Sequence, residues 1–370
     1  MAPRKHGDQR RSHYPGSDTL GAGCQSKEPS SDASVEGELK RVLRYYALGE
    51  FKAARRAHQG FVNDNWIVET TRDRYFLKRR HPRLRRAGLI HAQHQLVGLL
   101  RRAGFPAPTI VPTVTGGTFL VLNRELYEVQ EYIDGEPYDH DRPAHLEEAA
   151  QMLGQYHTHV EGFWSEALRR PGELYGPAIS GRILTDLSEA WQLDQDPGLK
   201  EISRQLRAEI TELAVHFAAH DALPYLVIHG DYYADNLLFD GDRIVGVVDY
   251  DKASWQPRVV DLAEALIYFA SPRPGHLRHL AYPGFLQWGP FCRFLQSYAG
   301  AATLEEKEID CLPDYIRAIW LSVSLRRLLE KDPRPAGALE ALLEVLELAQ
   351  WAKANAPQIV EAGHTASSVP

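Results

Sequence analysis

Apolar residues at Val35, Leu39, Val42, Leu43 and Tyr46 recur every three to four positions, which predicts one amphipathic helix ending at the Gly49 break. Short runs with strand character follow at residues 60–68, 75–79, 110–114, 118–122 and 126–133. Thr71-Arg72-Asp73 turns the first pair and Gly116-Gly117 the run at 110–114 into the next, so the pattern predicts an antiparallel sheet of about five strands. Between the second and third runs Leu89, Ala92, Leu96, Leu99 and Ala103 keep helical spacing until Gly104 and Pro106 close the segment. That helix packs on the sheet. After Tyr132-Ile133-Asp134-Gly135 the balance turns helical, near 144–160, 199–220, 259–270 and 285–298 and in two long segments between 304 and 354. One insert interrupts the helices: Leu226-Val227-Ile228, Leu237-Leu238-Phe239 and residues 244–248 read as strands, turned by Asp240-Gly241-Asp242.

The division that follows is α+β and bilobal: an antiparallel sheet lobe at residues 35–133 and a mainly helical lobe at 134–355. Residues 1–34 hold almost no large apolar side chains, cannot offset the entropy of ordering, and read as a disordered tail; residues 356–370 read as a flexible one. At 44% apolar and 25% charged residues the chain falls outside the membrane, fibrous and fully disordered classes. It has no apolar run of about 18 residues and no signal-peptide core. Cys24, Cys292 and Cys311 are odd in number and lack CxxC spacing, which fits a reducing compartment and makes the cytoplasm the expected location. Charge divides with the lobes, about +11 over residues 38–112 and about −18 from 113 onward. A basic lobe suits an anionic nucleotide and an acidic lobe an amine-bearing partner, against the plainer alternative of solvated surfaces.

The chemistry concentrates in the insert. Val227-Ile228-His229-Gly230-Asp231-Tyr232-Tyr233-Ala234-Asp235-Asn236-Leu237 sets a polar loop between two apolar strands, and Gly246-Val247-Val248-Asp249 ends the next strand on an acid. Transfer of a nucleotide phosphoryl group needs one carboxylate to orient or deprotonate the attacking hydroxyl, and an amide oxygen and second carboxylate to hold Mg²⁺ against the phosphates. Taken singly these residues read as turn and cap residues, and His229 as a core histidine. Together, His-Gly-Asp, four residues, Asn, and an Asp ending an apolar strand resemble the aminoglycoside phosphotransferase family, which includes choline-type and type II homoserine kinases on the protein-kinase-like fold. The resemblance covers about residues 35–354. It implies Asp231 as catalytic base, Asn236 and Asp249 as Mg²⁺ ligands, His229 as a loop-organising residue and Asp261, opening a helix in Asp261-Leu262-Ala263, as a brace for that loop.

In the first lobe the strand Arg74-Tyr75-Phe76-Leu77-Lys78 ends on a lysine placed to meet α- and β-phosphate oxygens. The turn from Gln59 to Asn65 resembles the family's nucleotide-covering loop, with Gly60 and Asn65 at its characteristic positions, though without GxGxxG. The segment holding Glu131 and Ile133 resembles the interlobe hinge whose backbone binds adenine; ATP or GTP with Mg²⁺ are the implied cofactors. One departure stands out: the family's lysine-pairing glutamate on the following helix falls on Gln95, and no Asp or Glu lies between Arg74 and Arg124.

Other readings are weaker. His157 and His159, two residues apart on a helix, face about 200° apart and do not form a metal site. The arginine run at 79–86 lacks interleaved aromatics and reads as a solvated helix approach, not a nucleic-acid surface. His-Gly-Asp, Tyr250-Asp251 after Asp249, and only about a dozen residues from Asp249 to Asp261 exclude a regulated protein kinase. The expected partner is a small acceptor. Asp235, Asp251, Glu264 and Asp314 with Tyr232, Tyr233, Trp255, Tyr315 and Trp320 suit an amino alcohol, amino acid or aminosugar. The competing reading is a catalytically silent nucleotide-binding or structural protein on the same fold.

Overall fold

The computed structural model describes residues 32–57, 62–169, 174–220, 222–271, 286–331 and 333–368. Gly60, Cys24 and most of the expected N-terminal tail lie outside these residues. Helix α1 (Asp32–Leu43) leads into β1 (Phe51–Arg56), β2 (Asp64–Thr70), β3 (Arg74–Arg79), α2 (Ala87–Arg102), β4 (Leu120–Leu122) and β5 (Glu125–Glu131). The five strands form one antiparallel sheet in the order β1-β2-β3-β5-β4. Leu39, Val42, Leu43 and Tyr46 from the first helical segment bury against Trp66, Val68, Leu77, Tyr127 and Val129, the apolar face of the sheet. That is the stripe whose three-to-four spacing marked the helix.

Two expectations for this sheet change. β1 carries Phe-Lys-Ala-Ala-Arg-Arg and is exposed at nearly every position, so it shows no apolar alternation. An edge strand with one neighbour needs none, and its cationic side chains discourage further strand pairing. The expected strand at residues 110–114 makes only an isolated bridge between Ile110 and Gln130; Pro112 has no amide to give a ladder there.

The second lobe contains β6 (Glu136–Pro137), α3 (Pro143–His159), α4 (Pro177–Trp191), α5 (Pro197–Ala219), β7 (Tyr225–Ile228), β8 (Leu237–Asp240), β9 (Arg243–Val247), β10 (Ser254–Pro257) and α6 (Arg258–Ala270), then α7 (Trp288–Ala299), α8 (Glu306–Leu329), α9 (Ala338–Ala354) and α10 (Ala356–Ser367). Helix α6 is buried at all its positions, as befits an apolar rod crossing the lobe. Its neighbours include β7, which pairs antiparallel with β10, Ser254 opposite Ile228. Helices α4, α5, α8 and α9 enclose a second apolar cluster around Leu184, Leu206, Leu321 and Leu342. The expected flexible tail at 356–370 is corrected by α10: Ile359, Gly363 and Ala366 share its buried face, and Gly363 sits close against Ile309.

Two helical glycines behave oppositely. A Cβ on Gly154 in α3 would lie 2.8 Å from Ala301 Cβ and 3.0 Å from Tyr298 O, whereas on Gly181 in α4 it would make ordinary contact with Ile210 at 3.8 Å. Gly154→Ala should therefore lower stability by about 1–3 kcal/mol through overpacking, and Gly181→Ala should raise it by roughly 0.5–1 kcal/mol through helix propensity. Denaturant midpoints measured at unchanged m-value check both signs.

Candidate functional site

The loop between β7 and β8 is held by hydrogen bonds to a single carboxylate. Asp261, fully buried in the first turn of α6, accepts the amide of His229 at 2.7 Å and that of Gly230 at 2.8 Å, and lies 3.3 Å from His157 Nε2. His157 in turn meets Tyr298 Oη at 2.7 Å. Burial, partly offset by Asp261, pushes both the His157 and His229 pKa values down; neutral His229 donates Nε2–H to Val248 O at 3.2 Å. Gly230 has φ +72°, and a Cβ there would lie 2.8 Å from Lys252 O. The position therefore requires glycine.

Beyond that turn Asp231 receives Lys252 Nζ at 2.5 Å, and the carbonyl of Asp231 accepts Asn236 Nδ2 at 2.8 Å. Burial raises the Asp231 pKa, with Lys252 opposing it. Val248 N reaches Asn236 O at 2.9 Å, tying the two halves of the insert together. Asp249 follows with φ 65° and ψ 70°, a left-handed conformation unusual for aspartate that aims its carboxylate away from the strand line.

The conformation of Asp249 brings it to Lys78, whose Nζ lies 3.1 Å from Asp249 Oδ1, 3.1 Å from Asp251 Oδ1 and 3.9 Å from Glu128 Oε1. Burial would lower the Lys78 pKa, but the carboxylates outweigh it and raise it. Arg80, also buried, pairs with Glu128 at 3.0 Å and Asp251 at 2.5 Å. Glu128 additionally meets His94 Nε2 at 2.7 Å, and Gln93 donates to Asp251 O at 3.0 Å. Asn63 Nδ2 reaches Asp251 Oδ2 at 2.6 Å.

The assignment of Gln95 is therefore corrected. It faces solvent on α2, while Gln93 and His94 on the same helix point inward. Of the three carboxylates around Lys78, the one from the first lobe comes from β5, where Glu128 is directly paired with Lys78 in the β3–β5 register. Nor is the arginine run merely solvated, since Arg79 pairs with Glu38 and Asp64, Arg80 is buried, and Arg85 pairs with Glu125.

Two cavities meet at this loop. One, of about 330 Å³, is lined by Asn65, Lys78, Glu131, Ile133, Asn236 and Asp249 together with Arg55, Ile67, Phe76 and Leu238. At its hinge edge the amides of Glu131 and Tyr132 are taken by Thr109 O and Arg74 O, and Ile133 follows them. The other cavity, of about 180 Å³, is lined by Asp231, Tyr232, Tyr233, Lys252 and Glu264 with Tyr175, the α8 residues Ser322, Val323, Arg326 and Arg327, and Glu330 just past the end of that helix. Tyr233 lines both. Of the acids and aromatics expected around an acceptor, Asp251 is taken up by Lys78 and Arg80, Asp314 by His216 and His220, and Trp320 by the core. Tyr315 stacks on His220, and Trp255 lies in β10 near Tyr225. Asp235 lines the larger cavity. Lys252, Glu128 and Arg326 were missed, because nothing in their local sequence distinguishes them from surface or strand residues.

The sequence pattern of the phosphotransferase enzyme family matches residues 53–289. A homoserine kinase of Agrobacterium fabrum is 26% identical over 317 residues, covering 85% of this chain and 91% of that protein. One from Sinorhizobium medicae is 28% identical over 320 residues, covering 85% and 90%. Among solved structures, the amicoumacin kinase hAmiN in complex with AMP-PNP, Ca²⁺ and Ami aligns at TM-score 0.64 and 16% identity over 87% of this chain and 93% of that one. A microcompartment-associated aminopropanol kinase aligns at 0.58 and 15%, over 89% and 98%. At these identities the likeness is one of fold, and the fold is the α+β, bilobal protein-kinase-like one.

For Glu128, burial pushes the pKa up, but Arg80, the His94 hydrogen bond and Lys78 outweigh it and hold it well below 4.5. Its contribution to stability is thus present above pH about 4.5 and lost as pH falls toward the depressed folded value. Glu128→Gln should cost roughly 3–5 kcal/mol at neutral pH, because Arg80 and Lys78 lose a buried partner, while Gln95→Ala should change stability by less than about 0.5 kcal/mol. Urea unfolding from pH 7 to pH 3 should show a shallower acid loss for Glu128→Gln than for the wild type.

Proposed function

The chain belongs to the phosphotransferase enzyme family, and from that premise we propose that it uses ATP and Mg²⁺, with Asp231 as base, to phosphorylate a small amino-bearing metabolite. That it is a small-molecule kinase acting on a hydroxyl follows from the family and the relatives. The observation that carries the finer reading is the division of the site. Asp231 faces the smaller cavity, Asn236 and Asp249 face the larger one, and Tyr233 is their common wall. A nucleotide in the larger cavity and an acceptor in the smaller one would bring phosphoryl group and hydroxyl together at the loop.

The donor set fits Mg²⁺. Asn236 has its Nδ2 engaged by Asp231 O, leaving its amide oxygen to coordinate, and Asp249 offers a partly exposed carboxylate. Phosphate oxygens and water would complete the ion's coordination. Bound there, Mg²⁺ would neutralise charge on the transferring group.

The remaining roles belong to side chains. Lys78 contacts the nucleotide phosphates, with Glu128 and Asp251 fixing its Nζ. Glu131 and Ile133 present the hinge backbone to the base, and Asn65 borders the same cavity. Asp231 accepts the hydroxyl proton as the acceptor oxygen bonds to the γ-phosphorus and the bond to the bridging oxygen of ADP breaks. A base with a raised pKa suits that task. His229 and Asp261 hold the loop in place.

Asp231→Asn should lower kcat by about 10²–10⁴-fold while nucleotide affinity is retained. Acceptor-stimulated, Mg²⁺-dependent ADP release from a panel of homoserine, amino alcohols and aminosugars checks it, with fluorescence titration of nucleotide alongside. Normal turnover by Asp231→Asn would sink the base assignment, and absence of nucleotide binding by the wild type would sink the whole reading.

A further inference from the structure

The smaller cavity has features beyond its place beside Asp231. Glu264, on α6, is 6% exposed; its Oε1 accepts Tyr175 Oη at 2.9 Å, while its Oε2 is buried with no hydrogen-bond partner. A buried carboxylate oxygen left without a donor calls for one from a ligand. Burial raises the Glu264 pKa to about 8, with Lys252 opposing and Asp231 and Asp261 reinforcing the shift. A cationic donor would reverse that cost.

Across the cavity, Ser322, Val323, Arg326, Arg327 and Glu330 lie at the spacing of one helical face. Arg326 is exposed and its guanidinium makes no hydrogen bond or ion pair among the described residues, although its charge reaches Tyr175, the residue hydrogen-bonded to Glu264. Of the other two cations lining the cavity, Lys252 is already engaged by Asp231 and Arg327 has interactions of its own. The cavity thus offers an unfilled acceptor on α6, an uncommitted guanidinium on α8 and the base at Asp231. Its volume of about 180 Å³ lies below the roughly 300–1,000 Å³ of sites that hold drug-sized ligands, too little for a multi-ring aminosugar.

We propose that this cavity selects a hydroxylated amino acid in its zwitterionic form, Glu264 binding the ammonium and Arg326 the carboxylate, so that the side-chain hydroxyl is presented to Asp231. The guanidinium fork suits a carboxylate, which it can bind through two parallel hydrogen bonds. The proposal rests on the acceptor side of the reading above and narrows it: amino alcohols lack the group for Arg326, hydroxy acids the group for Glu264, and multi-ring aminosugars exceed the space.

Three acceptors that differ only in these groups test it in the full-length protein with Mg²⁺ and ATP: L-homoserine, its alcohol 2-aminobutane-1,4-diol, and 4-hydroxybutanoate. Wild-type kcat/KM should fall by about 10²-fold or more on loss of either charge, as a site built to pair a polar group rejects analogues without it. Arg326→Met should lose homoserine turnover, mainly through KM, and bring homoserine and the diol within about tenfold of each other. Glu264→Gln should do the same for homoserine and 4-hydroxybutanoate. Wild-type turnover of the diol or of an aminosugar as efficient as that of homoserine would overturn the proposal and leave the kinase assignment standing. ADP release unstimulated by all three compounds would overturn it too, and nucleotide titration would then show whether the nucleotide reading falls with it. The wild-type comparison decides the matter even if a variant fails to fold.

Discussion

Four charged side chains meet in the interior: Lys78 on β3, Arg80 just past its end, Glu128 on β5, and Asp251 a short way beyond β9. Burying any one alone would cost several kcal/mol, so the group is tolerable only while all its members are paired. That requirement couples the lobes. The sheet cannot keep Lys78 and Arg80 buried unless the second lobe supplies Asp251, and Asn63 and Gln93 add hydrogen bonds across the same junction. The larger cavity owes its shape to this coupling, for Lys78 lies on one wall and Asp249 on the other.

The loop between β7 and β8 obeys a related constraint. A loop carrying Asp231 and Asn236 cannot rest on apolar packing alone, because its amides need acceptors. Asp261 supplies them from the buried helix α6 to His229 and Gly230, and Gly230 permits the close passage of Lys252. The left-handed backbone of Asp249, between β9 and the turn at Tyr250–Lys252, is a further cost. Strands and a buried helix thus hold Asp231 and Asn236, while α8 contributes one wall of the smaller cavity from a different part of the lobe.

The basic character of the first lobe looks different in three dimensions. Arg79, Arg80 and Arg85 are partnered by Glu38, Asp64, Glu128, Asp251 and Glu125. Much of the sequence's positive run is therefore internal structure. No helix among the described residues is long and apolar enough to cross a membrane.

The sequence by itself determined the strands of the insert, the helices with strong three-to-four spacing, and the spacing of Asp231, Asn236 and Asp249. Each is encoded within a few neighbouring residues, and period and spacing are local properties. It also held the spacing of Ile359, Gly363 and Ala366 that makes α10, a signal the reading of a flexible tail passed over. Only the tertiary structure decided that β1 pairs as an edge strand, that Gln95 faces water while Glu128 approaches Lys78, and that Glu264 and Arg326 share a cavity. Those pairings join residues tens of positions apart in the chain. No local pattern records which distant partner will neutralise a charge, because that is settled by the packing of whole elements and by the cost of leaving a buried charge or polar atom unpaired.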